Sequence, residues 1–357
     1  MKWRLVDLST PPSACFVLLM LLLCSSGVPA GQTNRPPFPY VWAKAYHVLP
    51  ETTSEESGYF SLCEGRNGKV YVGTAQYQFN SYLVEFDPRT ERQRIVIDTR
   101  RLCGVTAAGY AAQSKIHTRN FVGPSGKIYV GSKQGYRVIP GDTSEYPGGY
   151  VMTYDPKGDK AECLGMPYPK EGVIDVVADE KRGLIYVVTC EEQHYMVYDT
   201  KTKKYREPDP ALQLTPYATT LIDANGRANS ITADFRLVQY DPETGKLRTR
   251  DLILDGQKFT RKDQERIYTW NLAADGRTAY LILMTDTRLF SVDLLSEGET
   301  VQLANHGKMI EGKNPDSRCA LSIAPDGRVY TVIRVDNTTR FGTGYLHHLA
   351  RFTPKTG

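Results

Sequence analysis

The sequence is short of charge imbalance, of cysteine and of helical periodicity, and each shortage removes a class of protein. Across 357 residues, 44 Lys and Arg face 40 Asp and Glu, a formal net charge of +4 with the two signs interspersed. That balance leaves no electrostatic footprint for nucleic acid or for an anionic membrane. Of the 7 cysteines, Cys63, Cys103, Cys163, Cys190 and Cys319 lie beyond the N-terminal region, an odd set at wide spacings. No two of them have metal-ligand spacing, which argues against a zinc site built on thiols. Export would allow one or two disulfides, buried free thiols are the alternative, and the pairing stays open. No phosphate loop, dinucleotide fingerprint, nucleophile elbow or His-Glu-x-x-His occurs, so the chemistries those motifs carry lack their signatures.

The one continuous apolar run, from about Ala14 to Leu23, is too short to span a membrane, which takes roughly 20 residues. It follows Lys2 and Arg4 and precedes Val28-Pro29-Ala30, the order of a secretory signal peptide. Residues 1–30 are therefore expected to be a leader and the mature protein to be secreted or periplasmic, without a membrane span. Residues 31–39 are polar and proline-rich and read as an extended lead-in.

From residue 40 to 357 one pattern recurs. A glycine turn is followed by a strand of the Val-Tyr-Val kind, a variable loop and a strand ending in Tyr-Asp-Pro or a close variant. Asn67-Gly68-Lys69-Val70-Tyr71-Val72 leads to Phe86-Asp87-Pro88, and Ser125-Gly126-Lys127-Ile128-Tyr129-Val130 leads to Tyr154-Asp155-Pro156. Weaker copies carry Gly183, Gly226, Gly276 and Gly327, so the turn glycines return every 43 to 58 residues. That is the period of four-stranded propeller blades, and Asn-Gly or Asp-Gly between strands is a strong hairpin signal. The fold class is all-β, a single β-propeller over residues 40–357. Six blades fit the count if the segment Tyr40 to Leu49 supplies the last strand and closes the ring; seven fit if an irregular stretch hides another.

In such a ring the inner strands line a central channel, and the loops opposite the glycine turns converge at its mouth, the default binding surface. Counting about nine residues back from each turn glycine selects Tyr59, His117, Ile174 with Asp175, Tyr217, Ile267 with Tyr268, and Arg318. Lys115, His117 and Arg119 occupy alternate positions and are expected on one side of their strand. Loops leaving second strands add Lys133 and Tyr136 in blade two and His194, beside Glu191 and Glu192, in blade three. The ligand-binding candidates are Lys115, Arg119, Lys133, Tyr136, Asp175, His194, Tyr268 and Arg318, with His117 and Tyr217 as candidate catalytic groups. Plain structural roles compete: Arg119 and Arg318 suit inter-blade pairing with Asp175.

The repeated Asp/Asn-Gly-Lys/Arg-x-Tyr-Val and Tyr-Asp-Pro elements resemble those of secreted NHL, streptogramin-lyase-like and SMP-30 (gluconolactonase)-like propellers. The resemblance implies a six- or seven-bladed propeller binding its ligand at the channel mouth. Gluconolactonase-like members hold a divalent metal there. Glu64-Gly65-Arg66, Glu171-Gly172-Val173 and Asn271 stand at the wrong distances from their turn glycines, so no metal ligand carries over and the cofactor stays unknown. Propeller polysaccharide lyases imply a second chemistry, in which a His or Tyr removes a proton beside a uronate carboxylate that a cation neutralises. The expected function is binding of a small or polymeric ligand, an anionic carbohydrate, by a monomer; a lyase or lactonase using the same mouth and a non-catalytic interaction scaffold are the alternatives.

Overall fold

Each glycine turn expected from the repeat is a left-handed turn joining two antiparallel strands. Gly68, Gly126, Gly183, Gly226, Gly276 and Gly327 have φ between 63° and 93°, a conformation that costs glycine nothing and a side chain more. The computed structural model describes residues 38–54, 61–260, 267–317, 320–339 and 341–354. The expected leader, Tyr59, Arg318 and Cys319 lie outside the described residues, as does the side chain of Tyr268. No helix among the described residues is long and apolar enough to cross a membrane.

Among the described residues six antiparallel units follow one another, each meandering outward from its inner strand. Blade 1 runs Leu62–Glu64, Val70–Gly73, Tyr82–Asp87, Arg92–Asp98, and blade 3 runs Gly172–Asp179, Leu184–Cys190, Tyr195–Asp199, Lys204–Arg206. In blade 2 two short inner strands, Lys115–Ile116 and Phe121–Val122, both pair with Ile128–Lys133, followed by Val151–Asp155 and Lys160–Cys163. Blade 4 begins at Leu221–Ile222 and ends at Lys246–Leu254; blade 5 begins at Ile267–Leu272 and ends at Thr300–Lys308. Those two outermost strands pair in parallel, Leu252 opposite Val301, which joins two blades into one sheet. Blade 6 has three described strands, Leu321–Ile323, Val329–Asp336 and Tyr345–Phe352.

Apolar side chains alternate along the middle strands and bury themselves between consecutive blades. Tyr71, Leu83, Ile128 and Met152 fill the seam of blades 1 and 2; Val173, Val176, Val187 and Tyr129 fill that of blades 2 and 3. Tyr186, Val197 and Tyr240 join blades 3 and 4, Trp270 and Phe235 join blades 4 and 5, and Ile282 and Ile333 join blades 5 and 6. Among the described residues no cluster joins blade 6 to blade 1, and Leu62 and Leu349 stay about 60% exposed there.

The expected closing strand does not form, because residues 40–49 contain no strand. Residues 46–49 instead follow the outer edge of blade 1. Gln93 Nε2 donates to His47 O (2.7 Å) and Leu49 N donates to Gln93 Oε1 (3.2 Å). The Tyr46 ring packs on Phe86 at 4.7 Å. One side-chain amide thus satisfies backbone groups that a ladder would otherwise have taken.

The blade 1–2 seam also carries a buried carboxylate. Glu85, 3% exposed, accepts from Lys69 Nζ (2.7 Å), Arg94 Nε (2.8 Å) and Tyr71 Oη (2.9 Å), and Arg94 continues to Tyr154 Oη of blade 2 (2.7 Å). Burial raises its pKa, but the hydrogen bonds from Arg94 and Lys69 outweigh that and hold it below the usual value. This contribution is present above the unfolded pKa and is lost as pH falls through the lowered folded one. Glu85→Gln is expected to destabilise by about 2 kcal/mol at pH 7 in urea unfolding, the loss shrinking on acidification.

Candidate functional site

Blade 2 reaches the channel through an irregular inner strand. Ile116 pairs with Ser132 and Phe121 with Tyr129, so residues 117–120 hold two residues more than the facing stretch and bulge. Thr118 Oγ1 occupies the gap, accepting from Gly131 N at 3.0 Å. The bulge interrupts the strand on which Lys115, His117 and Arg119 were expected to alternate: Lys115 stays in the ladder opposite Lys133, while Arg119 lies within the bulge and lines a cavity.

At the loop end, Lys115 and Lys133 are direct register partners on neighbouring antiparallel strands and so share one face of the sheet. Both are buried, at 3% and 9% exposure. Lys133 passes over Gly172, where a Cβ would lie 2.6 Å from its Cγ, and its Nζ donates to Glu191 Oε1 (2.5 Å) and to Cys190 Sγ. Lys115 Nζ stands 5.4 Å from the ring centre of Tyr77 and 5.0 Å from that of Tyr136, in cation–π range. The His117 ring stacks on Tyr217 at 6.3 Å between centroids. Gln78, Glu191 and Tyr217 hold left-handed backbone, with φ of 70°, 101° and 60°. For residues with side chains that is strain, and these three positions border the cluster.

Two buried ammonium groups beside one carboxylate perturb each other. Burial, then the neighbouring Lys133 charge, pulls Lys115 down to about 8. Burial also opposes the charge on Lys133, but Cys190 and Glu191 outweigh it and hold Lys133 above the usual lysine value. Burial and both lysines push His117 down to about 3, so its imidazole is neutral at physiological pH. Burial raises the Tyr217 phenol.

The open cavity lies toward the other end of the channel, on the glycine-turn side. It measures about 930 Å³ and is walled by apolar side chains including Phe121, Val177, Leu221, Leu272 and Leu349. Arg119 and Asp175 also line it. Arg119 Nη1 donates to Trp270 O (3.0 Å), and Thr220 N donates to Asp175 Oδ2 (2.7 Å). Asp175 Oδ1 and Arg119 Nε are buried without a hydrogen-bond partner. Burial drives the Asp175 carboxyl up to about 6, against the opposing pull of Arg119.

The expected set therefore divides. Lys115, His117, Lys133, Tyr136 and Tyr217 gather at the loop end, and Arg119 with Asp175 line the cavity beyond. His194 joins neither group: its Nδ1 meets Glu207 Oε1 at 2.6 Å and its ring stacks on Tyr168 at 3.7 Å. Cys190 and Tyr77 belong to the loop-end cluster and were not among the expected residues. Cys190 ends the second strand of blade 3 as Lys133 ends that of blade 2, so the repeat register could have found it. Among the described residues no three His, Cys, Asp or Glu gather as a metal site. Glu171 Oε2 accepts from Thr189 Oγ1 and the Glu192 N–H, and Asn271 Oδ1 accepts from the Leu272 N–H.

No family model matches the sequence, and no curated protein does. Solved structures resemble the fold. A catalytically inactive virginiamycin B lyase from Staphylococcus aureus, solved with quinupristin, matches at TM-score 0.53 and 9% identity, covering 85% of this chain and 86% of that one. The extracellular domain assigned to a one-component system from B. thetaiotaomicron matches at TM-score 0.51 and 11% identity, over 83% of this chain and 34% of that one. A fungal alcohol oxidase of the AA5 family, in complex with copper, matches at 0.51 and 12% identity, over 82% of this chain and 65% of that one. The chain thus spans about a third of the length of the B. thetaiotaomicron structure. At such identities the likeness is one of fold. The protein is a β-propeller.

Proposed function

We propose that this is a ligand-binding propeller, exported and monomeric, that holds an anionic group at the loop end of its channel. One observation carries the reading: Lys115 and Lys133 are buried register partners, and the acidic side chain beside them, Glu191, is paired to Lys133. Burying a second ammonium without a counter-charge is unfavourable, and a ligand carboxylate, sulfate or phosphate supplies that charge. Tyr136 is 58% exposed above Lys115 and offers a flat ring for stacking. A carboxylate beside a stacked sugar ring fits both features, which makes an anionic carbohydrate, small or polymeric, the favoured class.

Turnover by a lyase or lactonase route is the second reading, and the His117–Tyr217 stack favours it. It needs a base near neutrality, whereas His117 is pushed down to about 3, so binding without turnover comes first. Calorimetric titration with trigalacturonate and with its methyl ester separates these. Binding of the acid but not of the ester is expected, with affinity falling as salt rises. Equal binding of acid and ester, or none of either, rejects the anion site. Unsaturated or hydrolysed product, abolished in His117→Ala and assayed with and without divalent cation, moves the reading to catalysis.

A further inference from the structure

We propose that Cys103 and Cys163 form a disulfide that ties blade 1 to blade 2. Cys103 caps the single-turn helix Thr99–Leu102 at the end of blade 1, its N–H bonded to Thr99 O at 3.0 Å. Cys163 is the last residue of Lys160–Cys163, the outermost strand of blade 2, and the helix packs on that strand. The two thiols lie close enough to shift each other's ionisation. Cys103 sits against the apolar seam that also takes in Ala161 of the same strand. The helix is fixed from behind, since Asp98 Oδ1 accepts both Arg101 N (3.1 Å) and Asn80 Nδ2 (2.7 Å). Neither other described cysteine competes: Cys63 lines the channel cavity and Cys190 is bonded to Lys133.

The neighbouring Cys103, against the effect of burial, draws Cys163 down to about 7, which makes it the attacking thiolate near neutral pH. Cys103, with the neighbouring Cys163 and its burial both acting upward, stays a thiol until the second step. With a small disulfide such as oxidised glutathione, the Cys163 thiolate displaces one glutathione thiolate and forms a mixed disulfide. Cys103 then gives up its proton to solvent and attacks the Cys163 sulfur, releasing the second glutathione. The products are one protein disulfide and two reduced glutathione molecules. The closed loop runs from 103 to 163 and contains Lys115, His117, Lys133 and Tyr136, so the bond would restrict the segment that carries the loop-end cluster. This inference does not depend on the ligand reading.

The test uses the wild-type chain, equilibrated with reduced and oxidised glutathione, quenched in acid, alkylated and digested with trypsin. A mass corresponding to peptide 102–115 linked to peptide 161–170 is expected at oxidising ratios and its loss at reducing ones. Both cysteines found alkylated at every ratio, or either joined to Cys63, Cys190 or Cys319, overturns the proposal. In a parallel melt, the oxidised protein should have a higher Tm than the reduced protein and than Cys103→Ser/Cys163→Ser, with those two agreeing. An oxidised protein that melts with the other two rejects the tie between blades.

Discussion

Lys115→Met is expected to make the protein more stable at pH 7 and, at the same time, a poor binder of anions. Lys115 is 3% exposed, its ammonium is flanked by the Tyr77 and Tyr136 rings, and burial and the like charge of Lys133 outweigh the pull of Glu191 on it. Its folded value of about 8 lies below the ordinary 10.5. Below pH 8 the group is therefore charged in both states and opposes folding, by about 3 kcal/mol at full effect. This penalty fades as pH rises from about 8 toward 10.5, where the unfolded chain also loses the proton. Methionine keeps much of the stem's volume and removes the charge, so a gain of about 2 kcal/mol is expected in urea unfolding, after the lost cation–π contacts are allowed for. Anion affinity should fall by about 10–100-fold, the value of a charge-assisted hydrogen bond. Lys133→Met should weaken binding too, but it leaves Glu191 without its partner and should not stabilise. A Lys115→Met protein that is less stable than wild type, or that binds trigalacturonate unchanged, would contradict the account of this cluster.

The blades were readable because their signal is local. A turn glycine and the Val-Tyr-Val run after it encode a hairpin within a few residues, and all six glycines have the left-handed backbone the pattern requires. What the pattern misjudged depends on partners distant in sequence. Tyr40 to Leu49 has strand-like composition, yet Gln93 takes the backbone groups of His47 and Leu49, and no strand forms. The parallel pairing of Leu252 with Val301 joins two blades through residues no hairpin rule connects.

The same limit governs the site. Lys115, Lys133, Tyr136 and Tyr217 come together because repeat register and loop position could be counted from the turn glycines. Two extra residues enter the strand that carries Lys115, His117 and Arg119, and nothing in the residues 117–120 announces that bulge. The polar residues entering blades 2 and 3 were therefore legible as a set, but not the division that leaves Arg119 and Asp175 facing an apolar cavity on the other side.

Asp175→Asn is the matching experiment at that cavity, and its effect should depend steeply on pH. The carboxyl is 1% exposed, Oδ2 accepts from Thr220 N, Oδ1 has no hydrogen-bond partner, and its folded value of about 6 stands above the ordinary 3.8. Between those values the folded protein keeps a proton that the unfolded chain gives up, so stability falls as pH rises through the window. Above about pH 6 the ionised group opposes folding by about 3 kcal/mol. Asparagine reproduces the neutral carboxyl and can still accept from Thr220, so the variant should be about 2–3 kcal/mol more stable than wild type at pH 8 and nearly equal to it at pH 4. Urea unfolding at several pH values measures the difference directly, and the other carboxylates cancel between the two proteins. A difference independent of pH would mean that Asp175 ionises in the folded protein as freely as in the unfolded chain, with Arg119 compensating it fully. A stabilising neutral substitution at a position that lines a 930 Å³ cavity would instead mark a charge retained at the expense of stability, as binding sites characteristically retain them.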